Sequence, residues 1–350
     1  MGSIERAMDA SINRSLEGLR VCEDILRFYC NGKGASELKE LRHRLGDAAG
    51  TLSRDRLLGS REVEGDQQKF FNTESEFTRS SVSAVFAANI RRAAEAVRSL
   101  EEFSKLDPDG AGHLFQEIRF AIYEIEKKSW FALKNEEAKL RFADTLYAIA
   151  DSGFVSPDET AASVREMALG GAGIIQLRMK NEDRRLVLET ARRVRSICSD
   201  HDVLFIMNDY PDIAVMAEAD GVHLGQDDLP LSEVRKFLPP GMVIGLSTHS
   251  PEQARDAHEM KPDYIAIGPV FDTTSKTGTV IKGIGTGMVK EVAAASELPL
   301  VAIGGITGEN LSSVLEAGCT CPAVISELFK EGRIRANCEA LTSLIQKNNI

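Results

Sequence analysis

The chain has 350 residues, 43% of them hydrophobic and 27% charged, with a formal net charge of −11. This length exceeds the usual size of one domain, so we expect two domains, and the acidic balance argues against nucleic acid as a partner. No apolar run approaches the roughly 20 residues that cross a bilayer, and the first residues lack the apolar core of a signal peptide, which predicts a cytoplasmic protein without a membrane partner.

Residues 1–135 are predicted to form an all-α helical-bundle domain, because apolar residues recur there at steps of three and four. The polar stretch at 60–80 is expected to be a loop. An internal repeat is visible in this region, since INRSLEGLRVCED at 12–24 is echoed by IRRAAEAVRSLEE at 90–102. The repeat predicts a duplicated helical hairpin, and no residue type in it suggests catalysis.

Both copies of the repeat carry arginines and glutamates three residues apart, which places them in one stripe along a helix. We predict solvated faces laced with ion pairs. The alternative is that the two stripes face each other across a groove or a dimer interface. The residues concerned are Arg14, Glu17, Arg20 and Glu23 in the first copy and Arg92, Glu95, Arg98 and Glu101 in the second.

Residues 136–350 are predicted to form a (β/α)8 TIM barrel of the α/β class, because eight short β-branched runs alternate with amphipathic segments. An open doubly wound sheet is the competing fold. The count of eight and the polar residues at nearly every strand end favour the barrel. The predicted strands are 145–150, 174–179, 203–208, 221–224, 243–247, 264–268, 300–304 and 323–326.

The six cysteines are scattered, without a CxxC pair or a histidine at zinc-ligand spacing. We therefore predict six buried thiols in a reducing compartment. Cys319 and Cys321 fall in a segment that is predicted to be a strand, so their side chains should point to opposite faces.

In a TIM barrel the active site lies at the carboxyl ends of the strands, and the residues there form a coherent set. Arg178, Lys180 and Lys276 would supply positive charge to a diphosphate. Asp209 and Asp228 would bind a hard divalent cation through oxygen, and Mg²⁺ fits best because it usually takes one or two carboxylates. The sequence thus predicts a magnesium-assisted phosphate site.

Gly304 and Gly305 after the seventh strand, with backbone N–H groups after the eighth, match the usual barrel site for a phosphate monoester. Each residue also has a purely structural interpretation. Asp209, for example, could cap a helix that begins near Pro211, and His249 could cap or line a loop. The gathering of the polar groups at one rim favours a common functional site.

Seven segments of the barrel half, taken in order, closely resemble the thiamine-phosphate synthase family. They are QLRMK (176–180), ND (208–209), ADGVHLGQDDLP (219–230), GLSTH (245–249), IGPVFDTTSK (267–276), AIGGI (302–306) and VISEL (324–328). The first half resembles, less strongly, a helical extension that precedes this barrel in some bacterial synthases, and no function is carried over to it.

The resemblance implies a role for each matching residue. Ser247 would lie beside a pyrimidine, Lys276 would contact the leaving diphosphate from a mobile loop, and Asp209 and Asp228 would be the Mg²⁺ ligands. The aminopyrimidine diphosphate would be bound by Gln176, Arg178, Lys180 and Asn208. The thiazole phosphate would be bound by Thr273, Ser275, Gly305, Ile325 and Ser326.

Three departures from the family pattern are mild. Ser275 replaces a threonine, Tyr210 stands where arginine is frequent, and CTCPAVIS replaces a run of smaller residues before the last strand. None of these changes removes a charged group that the chemistry needs. The arginine, lysine and carboxylate positions that the resemblance assigns are all present.

The implied reaction couples the two phosphorylated small molecules to give thiamine phosphate and diphosphate, and a homo-oligomer is compatible with it. A thiazole tautomerase is one alternative, with His249 as the acid–base group. A non-catalytic sensor of thiamine precursors is another. Lys180, Asp228 and Lys276 favour the synthase, since neither alternative needs to expel diphosphate.

Overall fold

The computed structural model divides into two compact units, Met1–Glu136 and Glu137–Ile350, and each unit has its own hydrophobic core. Among the described residues, no helix is long and apolar enough to cross a membrane. The residues described are 2–61, 78–107, 111–274 and 280–348.

The first unit is all-helical, as predicted, and most of the loop expected at 60–80 lies outside the described residues. Helices α1 and α4 pack closely where Gly18 faces Asn89, because a Cβ atom at Gly18 would lie 2.8 Å from the Asn89 carbonyl oxygen. The helices are α1 (Gly2–Phe28), α2 (Ala35–Gly50), α3 (Arg54–Gly59), α4 (Val82–Ser104) and α5 (Gly112–Leu140), which ends in the second unit.

The internal repeat extends beyond the segments recognised in the sequence. The pair α1 and α2 corresponds to the pair α4 and α5, and the second helix of each pair buries apolar side chains at the same spacing. These side chains are Leu38, Leu41, Leu45 and Ala48 in α2 and Phe115, Ile118, Ile122 and Ile125 in α5. Each pair therefore contributes one matching half of the core.

The prediction that both charged stripes are solvated is wrong at one equivalent position in each copy. Glu23 is only 4% exposed and Glu101 only 2%, whereas the other six residues are exposed. Glu23 accepts a 2.9 Å hydrogen bond from Arg42 on α2, and Glu101 accepts a 2.8 Å bond from Arg119 on α5. A buried carboxylate needs such a partner, and here the partner lies on the following helix, so the two stripes do not pair with each other.

The second unit is a closed barrel of eight parallel strands, in which each strand pairs with the next barrel strand along the chain and the last pairs with the first. This topology confirms the TIM barrel and excludes the open sheet. Two short strands outside the barrel, β7 (Thr273–Thr274) and β8 (Val280–Ile281), lie between the sixth and seventh barrel strands in the chain. The strands are β1 (Tyr147–Asp151), β2 (Ile174–Arg178), β3 (Leu204–Asn208), β4 (Gly221–Leu224), β5 (Val243–Thr248), β6 (Tyr264–Ile267), β9 (Leu300–Ile303) and β10 (Cys321–Val324).

Helices connect the strands and cover the outside of the barrel. The helices are α6 (Pro157–Leu169), α7 (Arg184–Asp200), α8 (Pro211–Met216), α9 (Leu231–Phe237), α10 (Pro251–Met260), α11 (Gly285–Ala295), α12 (Leu311–Glu316) and α13 (Ile334–Asn348). The apolar stripe that amphipathic periodicity places on one side of each helix is buried against the strands.

Two details of the barrel differ from the sequence prediction. The eighth barrel strand ends at Val324, and Ser326, predicted to be its last residue, instead begins a 3₁₀ helix, Ser326–Gly332. The segment after β6, expected to be a loop, contains an antiparallel pair, β7 (Thr273–Thr274) and β8 (Val280–Ile281). Strands of two residues are too short to produce a periodic signal in the sequence.

All six cysteine thiols are buried, as predicted. Cys319 precedes β10, so the prediction that it belongs to a strand is wrong. The two side chains nevertheless enter different layers, because Cys319 packs between strands and helices and Cys321 packs inside the barrel. Burial raises the pKa of the Cys319 thiol to about 12, which makes it a poor nucleophile at neutral pH.

Aromatic side chains close the amino-terminal end of the barrel interior. The Phe142 ring, just before β1, stacks on the Tyr264 ring with 4.2 Å between centroids. Tyr264 fits because Gly245 lies beside it, and a Cβ atom there would lie 2.0 Å from the Tyr264 Cζ atom. These rings fill the amino-terminal end of the interior, opposite the end where the site was predicted, and the Tyr264 hydroxyl contacts the polar groups of the interior.

Candidate active site

Strand β2 carries the first two predicted site residues on one side, Gln176 inside the barrel and Arg178 at the rim. Arg178 lies opposite Asp151 in the strand register and donates a hydrogen bond to its carboxylate. Asp151 is only 1% exposed and also accepts a 2.7 Å bond from the Gly153 N–H. The sequence interpretation missed Asp151, although its place at the end of the first strand was a usable signal.

Lys180 and Asp209 meet at the rim, with 3.1 Å between Nζ and Oδ2. Asp209 has a φ of 64°, in the left-handed region that non-glycine residues seldom adopt, and its N–H donates to the His223 carbonyl. Helix α8 begins at Pro211, and the N-cap position before it is occupied by Tyr210 and not by Asp209. The interpretation of Asp209 as a helix cap is therefore wrong, and its carboxylate is directed to Lys180.

Asp228 is a neighbour of Asp209, and the charge of the Asp209 carboxylate acts on it. Partial burial, followed by the nearby Asp209 charge, raises the pKa of Asp228, against the lowering effect of a 2.6 Å hydrogen bond from the Gly225 N–H. Like charges placed together in this way are stabilised by a cation. Two carboxylates suit Mg²⁺, and no group of three or more candidate ligands occurs among the residues that could be searched.

A hydrogen-bond chain connects the predicted pyrimidine residues Gln176 and Ser247 through the barrel interior. His223 lies between Ser247 and Tyr264, with 2.9 Å from its Nε2 to the Ser247 Oγ and 2.9 Å from its Nδ1 to the Tyr264 hydroxyl. Tyr147 completes the chain to Gln176. Burial lowers the pKa of His223 to about 4, so the imidazole is neutral at pH 7.

The predicted site for the phosphate monoester consists mainly of backbone groups. Gly304 and Gly305 have φ values of 102° and 65°, and Cβ atoms on them would lie 2.4 Å from the Pro269 Cβ and 2.8 Å from the Phe271 Cβ. Asn310 fixes the turn by donating to the Gly305 carbonyl. After the neighbouring strand β10, Ile325 precedes the 3₁₀ helix that Ser326 begins, where backbone N–H groups lack partners within the helix.

The remaining predicted residues have different outcomes. Asn208 is buried at the end of β3, and Thr273 lies in β7, whereas Ser275 and Lys276 fall outside the described residues. His249 is exposed and lines a loop, with its Nδ1 3.4 Å from the Gly268 carbonyl oxygen.

Tyr210, which stands where the family frequently has arginine, has a cation beside it. The Arg184 guanidinium lies 5.0 Å from the centre of the Tyr210 ring. An arginine from helix α7 thus lies near the place where the family pattern has one.

A family model described as thiamine monophosphate synthase matches residues 146–328, which include every strand of the barrel. A thiamine-phosphate synthase from Synechocystis sp. is 35% identical over 99% of this chain and 98% of its own length. The chain belongs to the thiamine-phosphate synthase family. It is accordingly an enzyme of the transferase class.

Other members of the thiamine-phosphate synthase family match only about three fifths of this chain. The synthase from Halalkalibacterium halodurans is 43% identical over 59% of this chain and 97% of its own length. The structure of thiamine phosphate pyrophosphorylase from Pyrococcus furiosus has a TM-score of 0.54 and 33% identity, and it covers 60% of this chain and 98% of its own. A second family model, described as the ThiD2 family, matches residues 6–128 in the helical unit.

Proposed function

We propose that the barrel joins 4-amino-2-methyl-5-(diphosphomethyl)pyrimidine to 4-methyl-5-(2-phosphoethyl)thiazole and releases thiamine phosphate and diphosphate. With the 2-carboxy form of the thiazole, carbon dioxide is a further product. The observation that carries this proposal is the pair of carboxylates, Asp209 and Asp228, beside Lys180 at the rim. Two carboxylates and a lysine form a site for a divalent cation and a phosphate group together.

Arg178 and Lys180 bind and orient the diphosphate. The buried Asp151 holds the Arg178 guanidinium in a fixed direction, so little side-chain entropy is lost when the anion binds. Lys276 is a further contact to the leaving group, assigned from the family resemblance. Asp209 and Asp228 fit Mg²⁺, which when bound would offset the negative charge that develops on the diphosphate.

At the carbon centre, the bond between the methylene carbon and the diphosphate oxygen breaks, and the electron pair leaves with diphosphate. The amino group of the pyrimidine supplies electron density to the resulting cation. The thiazole ring nitrogen then donates its lone pair to the methylene carbon. The coupling step itself transfers no proton, so it needs no general base, and the protein has to stabilise the leaving group and exclude water.

The thiazole phosphate is bound at the other side of the rim. The Gly304-Gly305 turn and the N–H groups that begin the 3₁₀ helix at Ser326 follow neighbouring strands of the barrel, and such backbone N–H groups are suited to bind the phosphate. Thr273, Ser275 and Ile325 complete this pocket by family resemblance. Holding both substrates in one barrel mouth places the thiazole nitrogen near the methylene carbon.

The two alternatives have weaker support. A tautomerase needs an acid–base group, but His249 is exposed and faces a loop carbonyl. The two rim carboxylates repel each other, which raises the pKa of Asp228. Such an arrangement serves metal binding, which a sensor of precursors does not need.

The test is product analysis with the full chain. With both substrates and Mg²⁺ we expect thiamine phosphate and diphosphate in equal amounts, and no product when either substrate is omitted. A chelator should abolish the reaction, and added Mg²⁺ should restore it. Binding of both substrates without product in the presence of Mg²⁺ would refute the proposal.

A further inference from the structure

The barrel interior contains a continuous hydrogen-bond chain whose two ends are predicted pyrimidine contacts. The Gln176 Nε2 donates to the Tyr147 hydroxyl over 2.9 Å, and the Tyr147 and Tyr264 hydroxyls are 3.0 Å apart. The Tyr264 hydroxyl is 2.9 Å from the His223 Nδ1, and the His223 Nε2 is 2.9 Å from the Ser247 Oγ. The chain therefore joins strands β2, β1, β6, β4 and β5.

The donor and acceptor roles along this chain are determined by counting protons. An amide nitrogen can only donate, so the Tyr147 oxygen accepts and its single proton goes to the Tyr264 oxygen. Tyr264 in turn donates to the His223 Nδ1. A neutral imidazole with an acceptor at Nδ1 carries its proton on Nε2, and this N–H donates to Ser247. The Ser247 proton is then directed away from the chain.

We propose that this chain makes Ser247 a hydrogen-bond donor and leaves the Gln176 Oε1 atom an acceptor toward the bound pyrimidine, so that Tyr147, Tyr264 and His223 are positioning residues that select an aminopyrimidine. The proposal rests on the proposed function, because it requires a pyrimidine between the ends of the chain. It gives a task to three buried polar side chains that the coupling reaction itself does not use.

The selectivity follows from the pattern of the substrate edge. An aminopyrimidine presents a ring-nitrogen acceptor beside an amine donor, which matches one donor and one acceptor in the protein. An oxo analogue presents an N–H donor beside a carbonyl acceptor. To bind it, every hydroxyl, the His223 tautomer and the Gln176 amide would have to reverse together, or a buried polar group would be left without a partner.

The packing around the chain keeps it in one arrangement. Tyr264 is stacked on Phe142 and occupies the space that Gly245 leaves open. A Tyr264→Phe substitution keeps these ring contacts and removes only the hydroxyl. It therefore interrupts the chain in the middle, while Gln176 and Ser247 remain in place.

The experiment compares the wild type with Tyr264→Phe and with a matched control, Tyr123→Phe, in the helical unit. We expect Tyr264→Phe to raise the KM for the aminopyrimidine about tenfold with little change in kcat, because a misdirected hydrogen bond costs about that factor. Competition by the 4-oxo analogue should become relatively stronger. Tyr123→Phe should change neither quantity.

Nitrogen-15 NMR of labelled histidine adds a measurement that needs no turnover. The His223 signals, identified by their loss in His223→Gln, should show a proton on Nε2 and none on Nδ1 in the wild type, and a mixture of tautomers in Tyr264→Phe. An Nδ1–H tautomer in the wild type, or unchanged tautomer and KM in Tyr264→Phe, would overturn the proposal. A wild type that forms no thiamine phosphate would refute the proposed function instead, with the tautomer unaffected.

Discussion

The helical unit and the barrel rim use charged side chains in opposite ways. In the helical unit, Glu101 is buried and is bonded to Arg119 on one side and Arg98 on the other. At the rim, Asp228 is partly buried beside another carboxylate, and Lys180 is bonded to Asp209 of that pair. The negative charge of Glu101 is thus balanced within the helical unit. At the barrel rim, two carboxylates share one lysine, which leaves an excess of negative charge.

The effect on the pKa values shows this difference. Burial acts to raise the pKa of Glu101, but the hydrogen bonds and charges of Arg119 and Arg98 lower it overall. At Asp228, burial and the Asp209 charge raise the pKa together. A balanced carboxylate stabilises the fold, whereas an unbalanced one costs stability and is expected where a ligand supplies the missing charge.

The largest effect is expected from Asp228→Asn. If the rim carboxylates hold Mg²⁺, the substitution should lower kcat/KM at least about a hundredfold, because a metal ligand is lost. The stability should be unchanged or slightly higher, since a raised pKa means that ionised Asp228 is disfavoured in the folded state. Steady-state kinetics and urea unfolding of the same preparation measure both quantities. Full activity in the variant would remove Asp228 from the metal site.

The opposite result is expected from Glu101→Gln in the helical unit. Loss of the carboxylate leaves the partly buried Arg119 without its counter-charge, which should lower the free energy of unfolding of this unit by about 3 kcal/mol. The kcat/KM of the folded protein should stay at the wild-type value. Arg92→Gln, an exposed position of the same stripe, serves as the control and should change stability by less than about 0.5 kcal/mol.

The pH dependence of the Glu101 effect has a definite sign. Because the pKa of Glu101 is lowered in the folded state, its stabilisation is complete above the unfolded-state pKa of about 4.3 and is lost as the pH falls through the folded-state value. The stability difference between wild type and Glu101→Gln should therefore shrink below pH 4. A difference that stays constant into acid would show that the ion pair contributes nothing.

Sequence reasoning located the barrel and its rim because both depend on local signals. Eight short β-branched runs mark the strands, and polar residues at the strand ends mark the rim, as Arg178 and Asp209 do. The burial of Glu23 and Glu101 was missed because it depends on Arg42 and Arg119, which lie on other helices. Helical periodicity describes one helix at a time and cannot show such a partner.

His223 and Asp151 were missed for a related reason. His223 lies in the middle of a strand, and its role appears only when barrel closure brings the Tyr264 hydroxyl to its ring. Asp151 is the last residue of β1, one position beyond the predicted strand end, and its partner Arg178 becomes its neighbour through the strand register. Contacts between distant segments determine both roles, although the position of Asp151 at the end of a strand already marks it as a residue of the rim.

The contrast between the two units is tested most directly by calorimetric titration of Mg²⁺ into the full chain with diphosphate present. Wild type and Glu101→Gln should bind Mg²⁺ with the same affinity, because the helical unit contributes no ligand. Asp228→Asn should bind it at least about tenfold more weakly, since one of two carboxylate ligands is gone. Equal affinity in wild type and Asp228→Asn would contradict the assignment of the rim carboxylates as the metal site.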